Sequence, residues 1–68
     1  MSFSDLGNII KIRRKELKIT QRDLAELSSV SINTITKIER GEANPSIRLL
    51  EKISNILGME VKLEVKKK

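Results

Sequence analysis

The chain has 68 residues, a formal net charge of +5 at pH 7, and no cysteine, histidine, tryptophan or tyrosine. That inventory excludes disulfides, Cys/His metal centres and most acid–base or nucleophilic constellations, so no enzyme and no cofactor are expected. A chain of this length is expected to form one small domain burying only about 60% of its unfolded surface. No apolar run approaches the roughly 18–20 residues of a membrane span and no leader is visible, so the expectation is a soluble cytoplasmic protein.

Charge is unevenly spread. Residues 1–19 carry five cationic and two anionic side chains, residues 20–46 three and four, and residues 47–68 six and three. A basic balance of this kind suits a polyanion partner, though surface lysines and a solubilising Lys66-Lys67-Lys68 tail would give the same pI.

In chain order, Ser4-Asp5 predicts a helix start, with a capping side chain and then an acid near the positive helix end. Leu6, Ile9, Ile10, Arg13 and Leu17 follow with helical spacing. Lys15 to Lys18 should close this helix, because Thr20-Gln21-Arg22-Asp23 resembles a capping box that opens the next one. Leu24, Ala25 and Leu27 give the second helix its apolar face, and Ser28-Ser29-Val30 breaks it. Ser31 caps a third helix, Ile32 to Arg40, with Ile35 and Ile38 inward. Gly41 is a natural left-handed stop. Pro45 in the following loop cannot continue a helix interior. Ser46 caps a fourth helix with Ile47, Leu50, Ile53, Ile56 and Leu57 inward, ended by Gly58.

Past Gly58 the period changes. Met59, Val61, Leu63 and Val65 alternate with Glu60, Lys62 and Glu64, the pattern of a half-buried strand. No second strand is predicted in the chain, so the simplest partner is a second copy. Two such strands about a two-fold axis would form an antiparallel ribbon with Met59, Val61, Leu63 and Val65 as the dimerisation surface. The expected division is therefore a bundle over 1–58, a dimerisation strand over 59–65 and a disordered basic tail over 66–68.

The stretch from Thr20 to Ser46 resembles the Cro/phage-repressor (Xre-type) helix-turn-helix family. The matching parts are Thr20-Gln21, Leu24-Ala25, Val30-Ser31, Ile35, Ile38-Glu39, Gly41, Asn44-Pro45-Ser46 and Leu57-Gly58, and the likeness covers roughly residues 6–58. It implies an all-α, lambda-repressor-like bundle of four to five helices that binds double-stranded DNA as a homodimer. In such folds the second helix of the motif lies in the major groove with its first residues at base edges. Here these are Ile32, Asn33 and Thr34, with Lys37 one turn on. Asn33 can bond adenine, Lys37 can reach guanine or phosphate, and Ile32 can meet a thymine methyl. The likeness also implies phosphate contacts from Gln21, Ser31, Thr36, Asn44, Ser46 and Arg48. Gln21 would in addition brace the first turn of the recognition helix. An Arg14–Glu39 pair would lock that helix against the first. The turn often holds glycine where Ser29 stands, and a left-handed serine carries strain of order 1 kcal/mol.

The leading expectation is a sequence-specific transcriptional repressor acting on an inverted-repeat operator. A minimal helix-turn-helix ending in an apolar strand also resembles HipB-type antitoxins, which implies a kinase-like toxin as a further partner. A purely protein-binding bundle would account for the helices but not for the polar row of Asn33, Thr34 and Lys37.

Overall fold

The computed structural model describes residues 1–66 and contains four helices in that span: α1 (Phe3–Glu16), α2 (Gln21–Ser28), α3 (Ile32–Glu39) and α4 (Ile47–Leu57). Each begins on a side chain that caps it. Ser2 and Asp5 form a capping box on α1, and Thr20 and Asp23 form one on α2, each with both reciprocal hydrogen bonds. Ser31 accepts from the Thr34 N–H and Ser46 from the Leu49 N–H. These caps satisfy donors that a helix start otherwise leaves open. The acids of the two boxes lie below the ordinary carboxyl range. The Ser2 N–H does this for Asp5 and the Thr20 N–H for Asp23, each helped by the neighbouring hydroxyl.

The predicted start of α1 at Ser4 moves to Ser2, because Asp5 stands three residues after Ser2 and completes the reciprocal pair. Gly41 and Gly58 end α3 and α4 in the left-handed region, with φ of 76° and 68°. At α4 the turn is closed by the Met59 N–H donating 2.9 Å to the Ser54 carbonyl. Arg13 adds to this end from another helix, its Nε donating 2.9 Å to the Leu57 carbonyl.

The core draws on every helix: Ile10 from α1, Leu24 and Ala25 from α2, Ile35 and Ile38 from α3, Ile53 and Leu57 from α4. Fully burying a side chain of this size contributes about 1.5–3 kcal/mol. α1 packs on α3 and α4, and α2 packs on the same two helices. Two expected inward residues face solvent instead, Leu27 and Ile47, 58% and 66% exposed. On α2 the inner face is centred on Leu24, Ala25 and Ser28, one step around the helix from Leu27. Ser28 is tolerated there because its hydroxyl donates 2.6 Å to the Leu24 carbonyl.

The C-terminal segment corrects the sequence reading. No strand is present among the described residues, and the helices number four, so neither the β-strand nor a five-helix bundle is found. A ladder needs two strands, and the described residues offer no second one to Met59–Val65. Met59 and Val61 are partly covered, at 37% and 41% exposure, while Leu63 and Val65 stand almost wholly in solvent. The alternation thus marks an extended, two-faced segment without a sheet to complete it. Of the expected disordered tail, Lys67 and Lys68 lie outside the described residues. Among the described residues, no helix is long and apolar enough to cross a membrane.

Candidate nucleic-acid interface

α2 and α3 are joined by a three-residue turn, Ser29-Val30-Ser31. Ser29 takes φ 57° and ψ 39°, the left-handed conformation that the sequence flagged as strained for serine. The Val30 N–H donates 3.0 Å to the Ala25 carbonyl and fixes the exit direction of the chain. α3 then runs with Ile35 and Ile38 buried and Ile32, Asn33 and Lys37 exposed. Ile32 is 37% exposed, on the flank of the inner face rather than within it. Thr34 is half-buried, its hydroxyl 2.8 Å from that of Ser31.

The orientation of α3 is held by one connected polar network. Arg14 Nε donates 2.7 Å to Glu39 Oε2, its Nη2 donates 3.0 Å to Glu39 Oε1, and its Nη1 donates 2.9 Å to the Ile19 carbonyl. Gln21 Nε2 donates 3.0 Å to the same Glu39 Oε1, and the Thr36 hydroxyl donates 3.0 Å to Gln21 Oε1. The Arg14 and Glu39 side chains are only 10% and 3% exposed. Burial pushes the Glu39 carboxyl up. Hydrogen bonds from Arg14 and Gln21, with the charges of Arg14 and Lys11, outweigh it and hold the group below the ordinary glutamate value. The hydrogen bonds to Glu39 raise Arg14 further, against the opposing effect of burial. Among the described residues, no buried side-chain nitrogen or oxygen lacks a partner.

The network places the sequence-derived residues with some changes. Arg14 and Glu39 form the pair that the family likeness implied. Gln21 braces α3 as expected, but at its second half, through Thr36 and Glu39, rather than at its first turn. The Thr36 proton is engaged by Gln21, so this hydroxyl meets an anion only by giving up that bond. Gln21 keeps a second amide N–H beyond the one given to Glu39. The Ser46 hydroxyl accepts the Leu49 N–H, which leaves its proton free to donate. Asn44 and Arg48 are exposed beside it at the start of α4. The starts of α2 and α4 thus both present donors at the positive ends of helices.

A helix-turn-helix family model, HTH_3, matches residues 10–63. The chain belongs to that family. The immunity repressor protein of Bacillus phage phi105 is 43% identical over 56 residues, covering 82% of this chain and 39% of that protein. The chain therefore spans about two fifths of that repressor's length. An uncharacterized HTH-type transcriptional regulator of Methanothermobacter thermautotrophicus is 42% identical over 55 residues, covering 81% of this chain and 80% of that one. Among solved structures, the restriction-modification controller protein C.AhdI of Aeromonas hydrophila superposes with a TM-score of 0.83 at 26% identity, covering 85% of this chain and 88% of that one.

Proposed function

We propose that the chain is a sequence-specific, double-stranded-DNA-binding repressor of transcription that works as a homodimer on an inverted repeat. The observation that carries this reading is the outward row of Ile32, Asn33 and Lys37 on a helix whose opposite face is buried and whose orientation is fixed by Arg14, Glu39, Gln21 and Thr36. In the major groove, Asn33 accepts and donates at an adenine edge, Lys37 donates to guanine or phosphate, Ile32 meets a thymine methyl and Thr34 offers its hydroxyl. Gln21, Ser31, Asn44, Ser46 and Arg48 hold phosphates on either side, and Thr36 joins them where its bond to Gln21 yields. These phosphate contacts set register, and the α3 side chains read sequence. The role is binding, with no chemical step.

An eight-residue α3 reaches only a few base pairs, so two copies about a two-fold axis supply the selectivity of an operator. Their half-sites lie about one DNA turn apart, roughly 34 Å. The names of the phage repressor and the regulators among the relatives support this reading. Selection from a random duplex pool at about 150 mM salt, where non-specific binding is weak, tests it. An enriched inverted repeat with half-sites about 10 base pairs apart is expected. A pool that enriches nothing would overturn the proposal.

A further inference from the structure

Gly7 lies inside α1, where glycine weakens a helix relative to alanine. It is buried, and its Cα faces the last carbonyls of α3. A Cβ at Gly7 would collide with the Ile38 carbonyl oxygen and lie 2.8 Å from that of Glu39. Both obstacles are backbone, so no rotamer change relieves them. A second close approach lies one turn away. Gly41, which leaves α3 with φ 76°, sits so near α1 that a Cβ there would be 2.8 Å from Ser4 Cα. Its N–H also donates 3.0 Å to the Ile38 carbonyl, the same group that Gly7 faces. Two glycines thus bring the α1 backbone directly onto the C-terminal end of α3.

We propose that Gly7 and Gly41 are positioning residues for DNA recognition, a backbone seam that sets the angle at which α3 presents Ile32, Asn33 and Lys37. This rests on the DNA-reading role proposed above. α3 is about 12 Å long, and fully buried Ile35 stands near its middle as a fulcrum. A methyl at Gly7 forces the Ile38 end away by on the order of 1 Å to reach van der Waals distance. Over the roughly 4.5 Å from Ile35 to Ile38 that displacement is a tilt of about 10–15°. The reading end swings by a similar distance in the opposite direction. Hydrogen bonds to base edges tolerate little of this, because they hold only between about 2.7 and 3.2 Å. Phosphate contacts from Asn44, Ser46 and Arg48 at the start of α4 do not pass through the seam, whereas Gln21 is tied to it through Glu39.

The test compares wild type with Gly7→Ala in two measurements. Residual dipolar couplings of the DNA-free protein report the orientation of α3 against α1, α2 and α4. Titrations with the selected duplex and with a scrambled duplex report specific and non-specific affinity. The expected result is a reoriented α3, a loss of about 10- to 100-fold for the selected site and a change within about twofold for the scrambled one. An unmoved α3, or equal losses on both duplexes, would overturn the proposal. If Gly7→Ala does not fold, Gly41→Asn takes its place under the same criteria, since asparagine accepts the left-handed backbone while its Cβ still meets Ser4. A wild type that selects no sequence would refute the repressor reading alone, and the couplings would still decide whether the seam sets the helix angle.

Discussion

Replacing Arg14 with methionine keeps most of the side-chain volume and removes three hydrogen bonds, two to Glu39 and one to the Ile19 carbonyl. Glu39, 3% exposed, is left with Gln21 as its remaining side-chain partner. Breaking one side of a buried pair costs about 3–5 kcal/mol, chiefly through the uncompensated charge. In a domain of this size that lowers Tm by at least about 12 °C. The double variant Arg14→Met/Glu39→Leu removes the orphaned charge and should recover all but about 1–2 kcal/mol.

The pH dependence gives the sharper test. In the wild type, the folded pKa of Glu39 lies below its unfolded value. Its contribution is present above an unfolded pKa of about 4.3 and is lost as pH falls through the lower folded value. In Arg14→Met, burial, the largest single influence on Glu39, is opposed only by Gln21 and Lys11, so the folded pKa should rise and protonation should then favour the fold. The deficit of the variant should therefore shrink between about pH 7 and about pH 4. Urea unfolding followed by far-UV circular dichroism at both pH values measures it. A deficit under about 1 kcal/mol at pH 7, or one that does not change with pH, would refute this account of the pair.

Three further outcomes are expected. Asn33→Ala/Lys37→Ala should keep its Tm and lose about 10- to 1,000-fold in affinity for the selected duplex, read by fluorescence anisotropy with labelled DNA. An unchanged affinity would remove α3 from the interface. Ser29→Gly relieves the left-handed strain at φ 57° but gives the unfolded chain more freedom, for a net gain of about 0.5 kcal/mol and a Tm higher by a few degrees. A lower Tm would mean that the Ser29 side chain stabilises the turn. Ile32→Ser should relax the preference for thymine over cytosine at one operator position by about tenfold, read in competition titrations, with the other positions unaffected.

What the sequence disclosed depended on the range of each interaction. The caps at Thr20, Ser31 and Ser46 and the left-handed stops at Gly41 and Gly58 are completed within a few residues, so spacing alone located them. Ile35, Ile38, Ile53 and Leu57 followed from helical periodicity because they lie at the centre of their inner faces. Leu27 and Ile47 sit at the margins, where burial depends on how far a neighbouring helix reaches. The Arg14–Glu39 pair was visible only through family likeness, since its members are 25 residues apart. The attachment of Gln21 to Thr36 and Glu39, and the contact of Gly7 with the end of α3, depend on the placement of non-adjacent helices and have no local signature. The alternation after Gly58 was legible as a pattern, but a strand is a property of a pair, and the chain supplies one member.

The four capped helix starts also bear on how the domain reaches its native state. Ser2, Thr20, Ser31 and Ser46 each define a first turn with bonds spanning three residues, so helix nuclei can form before any distant segment arrives. Helix–coil relaxation takes about 0.1–1 μs, and all-helical domains rich in local contacts fold in microseconds to milliseconds. Helices this short are marginal alone, so they persist only as they pack together on Leu24, Ile35, Ile53 and Leu57. At a synthesis rate of about 5–20 residues per second, this domain can pack essentially as soon as α4 is free. Folding of the domain would then keep pace with its synthesis, leaving the concentration-dependent pairing of two copies proposed above as the step that can lag.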